Sequence, residues 1–87
     1  MKSVISCKSK NKIKMNNKDL KNLREDLIGE LEAINQYQKH IDETDNEEIK
    51  KVLSHIADDE KEHFAELTKL IRELDKTQKE KFEKEEL

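Results

Sequence analysis

From Leu20 onward the apolar residues recur at alternating spacings of three and four. Leu20, Leu23, Leu27, Ile34, Tyr37 and Ile41 form one series, broken at position 30, where the pattern asks for an apolar side chain. Ile49, Leu53, Ile56, Leu67, Leu70 and Leu74 form a second, broken at 60 and 63. A three–four alternation keeps one stripe of a helix turned toward a neighbour, so the pattern predicts helix over about 19–43 and again over about 46–75. Between them, Thr44-Asp45-Asn46-Glu47-Glu48 offers two capping-box spacings, Thr44 with Glu47 and Asp45 with Glu48, which mark the start of the second helix. So short a link makes the two helices antiparallel neighbours. Residues 76–87, rich in Lys and Glu, read as a charged, fraying extension, and residues 1–18 as a basic disordered tail.

Composition narrows the class without changing this picture. With one Gly and no Pro among 87 residues, the chain lacks the turn chemistry that a sandwich or barrel needs. Charged residues are 45% of the chain, and no apolar run approaches the ~18 residues of a membrane span. Cys7 is the single cysteine, so no disulfide staples the fold, and a cytoplasmic location is expected. The net charge of −3 divides into +6 over residues 1–18 and −9 over 19–87. The acidic part has no basic patch or aromatic platform, which argues against nucleic acid as a ligand. A hairpin with one apolar stripe per helix buries too little to offset the ordering entropy of its residues. The expected fold class is therefore all-α: an antiparallel two-helix hairpin that dimerises into a four-helix bundle.

The interruptions of the stripes carry the chemistry. Glu30, Glu60 and His63 are polar where burial makes a charge costly unless it is compensated. Glu60 and His63, three residues apart, emerge from one helix face. Glu30 precedes the turn by as many residues as Glu60 follows it, so the two glutamates come level in an antiparallel hairpin. One chain thus offers a Glu and a Glu-x-x-His, half of the donor set of a di-iron carboxylate bundle. Two chains would supply four carboxylates and two neutral imidazoles, whose charge two ferrous ions balance.

Glu30-Leu-Glu-Ala-Ile-Asn-Gln-Tyr37 followed by Asp59-Glu60-Lys61-Glu62-His63 resembles the rubrerythrin-type ferritin-like family, and most nearly its half-length members, the encapsulated ferritins. The likeness covers about residues 24–74. It implies a ferroxidase: a homodimer with a di-iron site shared between two chains, assembled into a ring-shaped decamer that hands ferric iron to the interior of an encapsulin shell protein. By position it makes Glu30, Glu60 and His63 the iron ligands and Tyr37 a hydrogen-bond donor to a carboxylate. Glu32 matches an acidic position through which ions approach in the family, and Glu62 is a second candidate for such an auxiliary role. Gly29 stands where the family carries an acid. The C-terminal Lys81-Phe-Glu-Lys-Glu-Glu-Leu87 does not resemble an apolar shell-targeting peptide, so both a shell-enclosed and a free form are compatible with the sequence.

Two other readings compete. The same site could reduce peroxide, as in full rubrerythrins, with an electron donor outside the chain, because no Cys-x-x-Cys pair is present. Alternatively the polar layer only sets the register of a helical interaction module. Zinc or manganese would also suit the donors. His55 reads as a surface histidine, and His40 as a structural residue flanking the seam.

Overall fold

The computed structural model describes residues 17–87, which contain three helices and no strand. They are α1 (Asn17–Glu43), α2 (Glu47–Leu74) and α3 (Lys76–Lys84). All but two residues of the basic tail, and Cys7 with it, lie outside the described residues; Asn17 and Lys18 are the first turn of α1.

α1 and α2 pack as an antiparallel hairpin joined at 44–46. Its turn differs in detail from the expected capping boxes. Asn46 is the N-cap of α2: its Oδ1 accepts the Ile49 N–H at 3.0 Å, and its own N–H donates to Thr44 Oγ1 at 3.1 Å. With Asn46 in that place the third helical residue is Ile49, which has no carboxylate to close a box. Glu47 and Glu48 fall in the first turn, where their charge favours the helix N-terminus.

The α1 seam is the stripe anticipated from sequence: Leu20 is buried, and Leu23, Leu27, Glu30, Ile34, Tyr37 and Ile41 are half-buried. On α2 the seam is shifted. It runs through Leu53, Ala57, Glu60, Phe64, Leu67, Ile71 and Leu74, with Ala57 and Ile71 buried. Ile56, His63 and Leu70 belong to the adjoining stripe. Among the described residues only Leu20, Ala57 and Ile71 are less than a tenth exposed, whereas Ile28, Leu31, Ile49 and Val52 stay about half in the open. Full burial of one large apolar side chain contributes about 1.5–3 kcal/mol, against about 1–2 kcal/mol for fixing each residue's backbone. So thin a core leaves the hairpin marginal by itself.

Residues 76–84, expected to fray, are instead α3. Asp75 caps it, its Oδ1 accepting the Gln78 N–H at 3.1 Å. At the far end the Leu87 N–H reaches the Phe82 carbonyl at 2.8 Å, with Glu86 in the left-handed region that closes such helix ends. No described helix is long and apolar enough to cross a membrane.

Candidate metal centre

Glu30 projects from the middle of α1, and Glu60 and His63 from the middle of α2. The hairpin brings them together: one donor atom from each lies within 4.8 Å of the other two. His63 Nδ1 is 3.3 Å from Glu60 Oε1 and 3.5 Å from Glu30 Oε1. Glu30 Oε1 is out of solvent and has no hydrogen-bond donor, only that 3.5 Å approach of the imidazole.

Three ionisable groups at this range set one another's protonation. Glu30 is raised from its ordinary value first by the Glu60 carboxyl set against it, with burial and the Glu60 charge adding to the effect. Glu60 is held low, first by its hydrogen bond with Glu30 and then by His63. Loss of solvent works against a charged His63, but the hydrogen bond to Glu60 and the charges of Glu30 and Glu60 together outweigh it, and its pKa is raised. The two upward shifts share one cause, the negative charge gathered where the three side chains meet, which a bound cation would offset.

The donor set fits a divalent first-row ion. Two carboxylates and an imidazole suit iron, manganese or zinc. An ion about 2.1 Å from each donor leaves its ligands no more than about 4.2 Å apart, so small side-chain rotations close the present cluster around one. Such binding takes the carboxylates ionised and the imidazole neutral, so it competes with protons.

The cluster opens to solvent at His63. Glu60 is in the seam, but His63 is half-exposed, at 51% of its side-chain surface. Beside it is a cleft of about 520 Å³ floored by Gly29, Leu67 and Leu70 and edged by Glu25, Asp26 and Glu66. On α2 the His63 stripe continues through Val52, Ile56, Asp59, Glu66 and Leu70 at the same three–four spacing. The face therefore carries, in order, an apolar ridge at Val52, the donor cluster, and a cleft.

The family model described as EncFtn-like matches residues 6–86. The chain belongs to the EncFtn-like family. Two curated relatives come from Myxococcus xanthus (strain DK1622). The encapsulin nanocompartment cargo protein EncC is 47% identical over 58 residues, 67% of this chain and 45% of its own length. The encapsulin nanocompartment cargo protein EncB is 36% identical over 66 residues, 76% of this chain and 42% of its own length. The matched part is thus less than half of either relative. No solved structure gives a significant match.

For this EncFtn-like chain the remaining sequence candidates fall differently. Tyr37 is half-buried in the α1 seam, two helical turns from Glu30, and makes no hydrogen bond with the cluster. Glu32 and Glu62 are exposed. Glu32 lies about 200° around α1 from Glu30, and Glu62 about 200° from Glu60 and about 100° from His63, so neither points into the cluster. The acids beside the cluster are Asp26, four residues before Glu30, and Glu66, three after His63. Helical spacing from the ligand candidates was the signal that could have found them. His55 is a surface residue whose Nε2 lies 3.7 Å from Asp59 Oδ2, and His40 is exposed.

Proposed function

We propose that two copies of this chain close face to face and complete a shared site of two Glu30, two Glu60 and two His63 side chains that oxidises ferrous iron. The observation that carries the reading is the convergence of three metal-competent donors on an open face, with one buried carboxylate oxygen lacking a donor. Two ferrous ions enter as substrate, four carboxylates balance their charge, and each ion gives one electron to dioxygen or peroxide. Oxygen donors favour the ferric product, which drives the reaction forward.

The shape of the face supports a two-fold dimer. A two-fold axis through the level of Glu30 and Glu60 lays the Val52 ridge of each chain toward the Gly29–Leu67–Leu70 cleft of the other. Val52 lies about 12 Å from Glu60 along α2 in one direction, and Leu67 and Leu70 about 10–15 Å in the other. The arrangement would make a four-helix bundle and cover apolar surface that the lone hairpin exposes, giving ring assembly its building block. Since both curated relatives are named as encapsulin nanocompartment cargo, we further propose that the assembly works inside an encapsulin shell in the cytoplasm. Tyr37 would act only after closure, on a carboxylate of the partner copy.

The test is an aerobic iron titration of the purified chain with native mass recorded at each step. Near-ultraviolet ferric absorbance should grow faster than in a protein-free blank, and iron should drive a doubling of mass. A peroxide reductase would instead consume peroxide faster than oxygen without accumulating ferric mineral. A helical module would keep constant mass and take up no iron.

A further inference from the structure

α2 and α3 are separated by a single residue, and the backbone does not demand the break. Leu74-Asp75-Lys76-Thr77-Gln78 contains neither proline nor glycine, the two residues that interrupt helices by their own chemistry. Only Asp75 leaves the helical region, at φ −108° and ψ 103°.

What keeps the chain bent is a group of side-chain contacts meeting at that residue. Asp75 Oδ1 accepts the Gln78 N–H at 3.1 Å, capping α3. Asp75 Oδ2 accepts from Arg24 Nη2 of α1 at 2.9 Å, across 51 positions of sequence. Its backbone N–H closes α2 on the Ile71 carbonyl at 2.9 Å. One residue, its side chain only 16% exposed, therefore ties together all three helices. Beyond the bend, the Arg72 guanidinium lies 4.7 Å from the Phe82 ring centre, bridging α2 and α3. On a straight helix those two residues would be about 15 Å apart along the axis, so that contact exists only in the bent form.

Charge favours the same form. α3 has four Lys and two Glu, whereas α1 and α2 each hold three more acids than bases, so bending keeps a basic helix beside an acidic hairpin. Each contact is individually weak and partly open to solvent.

We infer that Asp75 is a latch: while Arg24 holds it, α3 stays bent against α2, and its release lets α2 run on through Asp75 into α3 as one helix, swinging residues 76–87 away from the hairpin. The inference stands apart from the iron site, since none of its contacts involves Glu30, Glu60 or His63. The latch fixes the direction in which the C-terminal residues leave the bundle, and any partner that competes for Arg24 or for the basic face of α3 would redirect them.

Distance measurement between spin labels at Lys51→Cys and Glu83→Cys tests it, in the full chain with Cys7→Ser and with labelled chains diluted into an excess of unlabelled ones. The native Asp75 form should give one short-distance population. Asp75→Ala should move it toward about 48 Å, the length of an unbroken helix between the labels. Asp75→Asn, which keeps a cap but loses the charge, and Arg24→Gln should each raise a long-distance fraction, as should added salt. An unchanged distance in Asp75→Ala overturns the latch. If that variant loses helicity by circular dichroism, unchanged distances in both Arg24→Gln and Asp75→Asn overturn it equally.

Discussion

Gly29 is in the middle of α1, where glycine is a cost. Relative to alanine it destabilises a helix interior by about 0.8–1 kcal/mol, and the hairpin itself gains nothing in return: a Cβ built at Gly29 meets nothing within 4 Å. Gly29→Ala should therefore stabilise an isolated hairpin by roughly 1 kcal/mol, which for a domain of this size raises the melting temperature by about 4–8 °C. Closing of the cleft by a second copy reverses the sign for association. Two added methyls, one per chain, would then press on packed side chains, and overpacking costs about 1–3 kcal/mol at each position. The helix gain is common to free and paired chains and cancels, so the dissociation constant should rise at least about thirtyfold, the equivalent of some 2 kcal/mol. Sedimentation equilibrium of metal-free protein gives the association constant, and circular dichroism melts at the lowest workable concentration give the hairpin. An alanine variant that melts higher and associates as tightly as the native chain would refute close packing at Gly29 and, with it, the proposed way the two faces meet.

Further outcomes follow from the cluster and the turn. Glu30→Ala, Glu60→Ala and His63→Ala should each reduce ferrous oxidation to the rate of a protein-free blank while far-ultraviolet dichroism persists; a variant that keeps the native rate is not a ligand substitution. The pH behaviour has two opposite signs. His63 has a raised pKa in the folded chain, so its contribution to metal-free stability is complete below the unfolded value of about 6.5 and is lost as pH rises through the folded value. Metal affinity should climb over that same interval, because binding must displace the His63 proton; denaturant midpoints and zinc titrations at about pH 6 and about pH 8 should change in opposite directions, and His63→Gln should flatten both. Asn46→Ala should cost about 1 kcal/mol by removing the α2 cap, read from thermal melts, and Thr44→Ala should cost less because it leaves that cap in place.

Much of the fold was legible because α1 obeys one rule throughout. From Leu20 to Ile41 every position of its three–four alternation, the interruption at Glu30 included, is buried or half-buried, with Ala33 the one addition. α2 carries two adjacent apolar stripes, and the periodicity cannot rank them. Ile56 and Leu70 compete with Ala57 and Ile71 for the seam, and hydropathy alone favours the larger or equally large side chains. Packing against α1 decides for the small Ala57, which lets the helices approach, and for Ile71 at the other end. α3 was illegible for a different reason. Its one apolar anchor, Phe82, is too little for a pattern, and the helix depends on a cap and an arginine contact supplied from outside its own residues.

That same ambiguity on α2 explains why the site points outward. Three residues of helix turn the chain through about 300°, which leaves side chains at i and i+3 as neighbours displaced by about 60° around the axis. Glu60 falls on the seam and meets Glu30 across it; His63, one step around, falls on the stripe of Val52, Ile56 and Leu70. A Glu-x-x-His pair set wholly within the seam would have made a centre closed within one hairpin. Here one donor belongs to the interior of the hairpin and the other to its uncovered face, so any ion they hold in common is approached from beyond the chain. Along α2 the face also sets Val52 on one side of the donors and the Leu67–Leu70 part of the cleft on the other, the arrangement that the proposed two-fold pairing would use. The angle between two side chains on one helix thus leaves the cluster open to a further ligand from beyond the chain, which the proposed second copy would supply.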